Sequence, residues 1–159
     1  IASNMYEDVA RSALVNCRWR FSTNQAVMNR LSEAPTGRFD AAYQLPSGWL
    51  MTHAVTVNDT PIQYQTYGNK LFCDESASSE LVLDYTYRAE EQDWPSYFTV
   101  AVQYELAAVF AVGLARDQGL AGLMAQQAQI FMIKARGLDS QQQTTRKLNT
   151  NRFISNRRT

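Results

Sequence analysis

The strongest hydrophobic pattern lies between Trp94 and Leu138. In its first half Phe98, Val100, Ala101, Val102, Tyr104, Leu106, the run Ala107 to Val112 and Leu114 leave almost no polar side, so a helix there must be covered all round. Pro95 suits a first helical turn, Asp93 can accept from its free N–H groups, and Arg116 places positive charge near the far end. Asp117-Gln118-Gly119 then reads as a cap in which glycine takes positive φ. In the second half Leu120, Leu123, Met124, Phe131, Ala135 and Leu138 recur at spacings of three and four, with Gln126, Gln129 and Lys134 between them. The pattern predicts a long helical hairpin, its first arm apolar all round and its second amphipathic. A run of about 18 apolar residues can also cross a bilayer. Gln103 and Glu105 near its middle, with an amphipathic partner close behind, favour burial in protein and no membrane contact.

Upstream, Met5, Val9, Ala13 and Leu14 share one side, with Glu7 and Asp8 in the first turn, which predicts a helix over Met5–Asn16. This stretch is mixed and charged, unlike a secretory leader. Trp19 and Phe21 are two apart and predict a half-buried extended segment; arginines alternating with them could instead stack on bases. From Ser22 to Pro46 periodicity is weak, which reads as a long connection with one helical turn near Gln25 to Leu31. Between about 48 and 88 the pattern turns to strands. Leu50 to Val57, Pro61 to Tyr67 with Ile62, Tyr64 and Thr66 on one face, Lys70 to Cys73 after Gly68-Asn69, and Leu81 to Tyr87 predict three or four short antiparallel strands. The expected fold class is therefore α+β: a helical bundle, made of the long hairpin and an N-terminal helix, with a small antiparallel β-domain. Residues 1–139 form a single domain and 140–159 an extended arm.

Charge sharpens that division. The 159 residues hold fifteen basic and fifteen acidic side chains. Five of the basic ones, Arg146, Lys147, Arg152, Arg157 and Arg158, lie after Ser140, where no acidic residue occurs, so the body carries −5 and the tail +5. Such a tail fits nucleic acid or the acidic surface of another protein. Phe153 and Ile154 are its one large apolar pair, and its polar composition suits an arm ordered by a partner.

Candidate chemistry is sparse. His53, the only histidine, sits in an expected strand with no nameable catalytic partner. Cys17 and Cys73 stand alone without metal-ligand spacing and read as two free thiols of a reducing compartment. No G-x-S-x-G occurs, and Gly119-Leu-Ala-Gly122 lacks the lysine of a phosphate loop. The residues thus point to no catalytic, metal or cofactor site, and the chain reads as a non-enzyme.

The ordered series Trp19-Arg-Phe21, Tyr43-Gln-Leu-Pro46, Trp49-Leu50, Gly68-Asn69, Leu83-Asp-Tyr85, Trp94-Pro95 with Phe98, Leu106-Ala-Ala108, Ala135-Arg136 and Asp139-Ser140-Gln141 resembles the head-to-tail adaptor, or tail tubular, proteins of tailed bacteriophages. The resemblance implies a structural virion protein, assembled in the host cytoplasm as a ring of twelve copies in the neck between capsid and tail. It would dock on the portal protein, meet a downstream tail or nozzle protein, and surround the channel through which genomic DNA passes at ejection. On that reading the arm residues Arg146, Lys147, Arg152, Phe153, Ile154, Arg157 and Arg158 bind portal. Tyr64, Tyr67, Asn69 and Lys70 face the tail, and Phe98, Leu106, Phe110 and Phe131 belong to the ring wall. The alternative is a DNA-binding interaction module using the same basic arm, whose affinity would fall steeply with salt.

Overall fold

A computed structural model describes residues 2–33, 35 and 37–142. The order of elements is α1 (Ala2–Asn16), β1 (Thr23–Val27), β2 (Ala41–Gln44), β3 (Trp49–Val57), β4 (Thr60–Pro61), β5 (Gln65–Tyr67), β6 (Lys70–Cys73), β7 (Leu81–Tyr87), α2 (Ser96–Phe110) and α3 (Gln118–Gln141). All strand pairs are antiparallel, in one sheet of order β1-β7-β3-β4 and a second of order β2-β6-β5.

This α+β fold of three helices and two sheets overturns the expected bundle with a long helical hairpin and a small β-domain. Seven strands make up 25% of the fold, and the apolar first arm is not one continuous α-helix. After fifteen residues α2 gives way at Phe110 to a π-helical turn, Ala111–Ala115, in which the Ala111 carbonyl accepts from the N–H groups of Arg116 and Asp117. Arg116 itself takes the left-handed conformation, φ 53°, while Gly119 lies inside α3. Asp117 caps α3 by accepting from the Leu120 N–H at 2.9 Å. At the other end Asp93 falls in a 3-10 turn, and the residue preceding α2 is Pro95.

The additional strands come from the stretch expected to be a connection. β1 lies at a sheet edge with Asn24 and Gln25 exposed, so alternation is faint; Ala41, Ala42 and Tyr43 of β2 are buried on both faces, so alternation is absent. Ile62, Tyr64 and Thr66 are indeed the half-buried members of their segment, but the chain crosses there from β4 in one sheet to β5 in the other. Asn58 and Asp59, both at positive φ, form the two-residue turn between β3 and β4. Trp19 precedes a 3-10 turn, Arg20–Ser22, that contains Phe21, and neither lies in a strand.

Two apolar cores result. The sheets enclose Tyr43, Val55, Leu71, Leu81 and Leu83. The helices enclose Leu14, Trp19, Phe98, Val102, Met132 and Ala135. Trp19 is fully buried, donates from Nε1 to the Ala13 carbonyl at 2.8 Å, and meets the Phe98 ring edge-on at 5.0 Å. The sheets' outer strands are short. β4 has two residues, one of them Pro61, β5 has three, and the outer edge of β2 is met by the Leu31 N–H, which donates to the Ala42 carbonyl at 2.8 Å.

Candidate functional site

The helical layer carries the most unusual surface. In the most apolar stretch, Ser96–Ala115, only 22% of the residues are fully buried within the protomer, most of the others being half-buried and Val112 to Ala115 exposed. By length and composition alone this run could cross a membrane. On α3 the inward face consists of Ala121, Ala128, Met132, Ala135 and Asp139, and its three alanines allow close approach to α2. Most of the expected inward leucines point the other way: Leu120, Leu123 and Leu138 are 42%, 51% and 47% exposed, with Ile130 and Ile133 beside them. Val112 and Leu114 extend this surface around the π turn.

On its other side α3 borders a groove of about 330 Å³ over α2, lined by Val9 of α1, Ala108 and Val109 of α2, and Ala125 and Ala128 of α3. Glu105 lies at this groove and also at the adjoining hollow beside Met132 and Arg136. Burial pushes its carboxyl above the usual range, opposed by the positive charge of Arg136. It has no hydrogen-bond or ion-pair partner among the described residues.

Each expected site residue can now be placed. Phe98 is fully buried among Trp19, Phe21 and Trp94, so it serves the protomer's own core. Leu106 is half-buried against that core, and Phe110 is half-buried at the end of α2. Phe131 stacks on Tyr104 at 4.7 Å and carries the Lys134 ammonium over its ring at 5.2 Å. Among the expected tail-facing residues, Tyr64 packs on the sheet core while Tyr67, Asn69 and Lys70 are exposed. Arg146, Lys147, Arg152, Phe153, Ile154, Arg157 and Arg158 lie outside the described residues.

No family model and no curated protein matches the chain.

Two further features escaped sequence reasoning. Phe39, Tyr67 and Phe72 form an aromatic cluster on the second sheet, with ring centroids 5.3 to 6.5 Å apart, beside a cavity of about 540 Å³ bounded by Leu31, Pro35, Gln44 and Lys70. Alternation placed Phe72 and Tyr67 on strands, but nothing local joins Phe39 to them. Arg88, just after β7, reaches Glu7 of α1 at 3.0 Å and Glu91 at 2.6 Å, with Tyr6 donating to Glu91 at 2.7 Å. These partners stand up to 85 residues apart, beyond any pattern in the sequence.

His53 Nε2 lies 2.7 Å from Thr86 Oγ1, beside a register shift in the β3–β7 ladder. Burial, then the positive charge of Arg18, holds its imidazole below the usual range, so it is neutral at pH 7. The pair makes a cross-strand hydrogen bond. Both cysteines are free, and no metal-binding cluster of His, Cys, Asp or Glu forms among the described residues.

Proposed function

We propose that this chain is a structural head-to-tail adaptor of a tailed bacteriophage, assembled as a ring beneath the portal and around the DNA channel. The observation that carries this reading is the uncovered apolar surface of the helical layer. An isolated monomer seldom keeps a contiguous apolar patch beyond a few hundred Å², so a surface of this extent calls for a protein partner. A ring of like copies supplies one on every subunit. The exposed Tyr67, Asn69 and Lys70 offer a second surface for a downstream tail component. The positive tail is complementary in charge to the chain's own acidic body and to an acidic portal.

The test is to mix the purified chain with its cognate portal and image the product by electron microscopy. A ring of density on the portal is the expected result. Intact portal without added density would reject the adaptor reading. Tight binding to free duplex DNA with a steep salt dependence would replace it with a DNA-binding role.

A further inference from the structure

Around α3, at about 100° per residue, the exposed stripe lies on the side away from the groove, and the inward face adjoins the groove through Ala128 and Met132. Ala125, Gln129 and Arg136 border the groove and its adjoining hollow. Leu120, Leu123, Ile130 and Leu138 lie roughly 150° away around the axis, with Lys134 among them. One helix thus presents a ridge of large apolar side chains on one side and, on the other, a groove edged by Ala125 and Ala128 with the longer Gln129, Met132 and Arg136 around the adjoining hollow.

We propose that copies of this chain associate head to tail, the α3 ridge of one copy seating in the α1–α2–α3 groove of the next and Lys134 meeting Glu105. This rests on the ring reading above and names the contact that would build it. Three observations commit the groove to a second copy. Shape is complementary, since Leu and Ile side chains face a trough walled by alanines and valines together with Ser12, Glu105 and Gln129. Charge is complementary at one pair: the ridge carries Lys134 and the groove Glu105, neither in an ion pair among the described residues, while Arg136 at the adjoining hollow donates to Asn16. Area is adequate. Leu120, Leu123, Ile130 and Leu138 with Val112 and Leu114 expose on the order of 550 Å², about two thirds of the ~800 Å² that each partner gives to a standard interface.

Because ridge and groove are different surfaces, the contact is heterologous and each bound pair leaves one ridge and one groove free. Such contacts propagate, and close into a ring when the rotation between copies divides a full turn.

The test reverses the two charges separately. Association is followed by sedimentation and cross-linking of concentrated protein, and on cognate portal by electron microscopy. Wild type should give species beyond the dimer in at least one setting, and Lys134→Glu or Glu105→Lys should each weaken association about tenfold or more, since like charges then oppose. An equal mixture of the two variants should recover it, because each ridge then meets a groove of opposite charge. Equal circular dichroism spectra confirm that both variants fold. Unimpaired single variants, a mixture that fails to recover, or no association in either setting would overturn the proposal. So would flotation of the wild type as a monomer with phosphatidylglycerol-containing vesicles, which would assign the apolar surface to lipid. Charge-sensitive association without portal binding would sink the adaptor reading and leave this contact standing.

Discussion

The Tyr97 hydroxyl donates to the Asp139 carboxylate at 2.9 Å and joins the start of α2 to the end of α3. The other oxygen of Asp139 accepts from the Arg20 N–H at 3.1 Å, so one buried carboxylate gathers both helices and the segment after α1. Burial, reinforced by the neighbouring carboxylate, pushes the Tyr97 phenol up to about 12. A folded-state value above the ordinary 10 means that the native state holds this proton more tightly. Stability from the pair is therefore complete below about pH 10 and is lost as pH rises toward 12. Tyr97→Phe should cost about 1–3 kcal/mol at neutral pH and flatten the alkaline limb of a stability profile measured by urea denaturation.

Arg88 makes the opposite end of the profile informative. Its guanidinium, followed by the Tyr6 hydroxyl, brings the Glu91 carboxyl down to about 2, and Arg88 also lowers Glu7. These depressed values stabilise the fold above the ordinary carboxylate range and lose that contribution as pH falls from about 4.5 toward 2. Both glutamates are solvent-accessible, so the effect is modest. Arg88→Met should lower stability by about 1–2 kcal/mol at pH 7 and by little at pH 2, read from urea midpoints at the two pH values.

Truncation in the helical core is the severe case. Phe98 touches Trp19, Phe21 and Trp94 and is fully buried, so Phe98→Ala should cost about 3–5 kcal/mol and lower Tm by roughly 10 °C or more. Leu123→Ala, on the exposed stripe, should leave monomer Tm nearly unchanged. Scanning calorimetry on the two variants separates a residue of the protomer's core from one free for a partner.

Removal of residues 143–159 tests the basic arm. The truncated chain should keep the wild-type circular dichroism spectrum and fail to dock on portal in a pull-down. Undiminished docking would reject the arm as the portal-binding element.

Sequence pattern found α1, β3, β6 and β7 because each has apolar residues at its own period and turns at its ends. It failed at β1 and β2, where edge exposure or two-sided burial removes alternation. On α3 hydrophobicity picked a stripe of leucines with Met124, Phe131 and Ala135, whereas close packing selects by size and takes Ala121 and Ala128 inward beside Ala135. That misassignment hid the ridge. Glu105 was legible as an oddity in an apolar run, but its groove needs α1, which lies some ninety residues earlier in the chain.

The brevity of the outer strands bears on how such a chain stays dispersed. An open strand edge templates another strand and leads to aggregates without defined stoichiometry. Here β4 ends a sheet with two residues, one of them a proline, β5 ends the other with three, and backbone from Arg30 and Leu31 occupies the edge of β2. At three of the four edges little backbone is left to recruit strands indiscriminately, and β1, with five residues, is the longest edge that remains. Self-association is thereby steered toward side chains on helices, where size and charge limit which surface pairs with which.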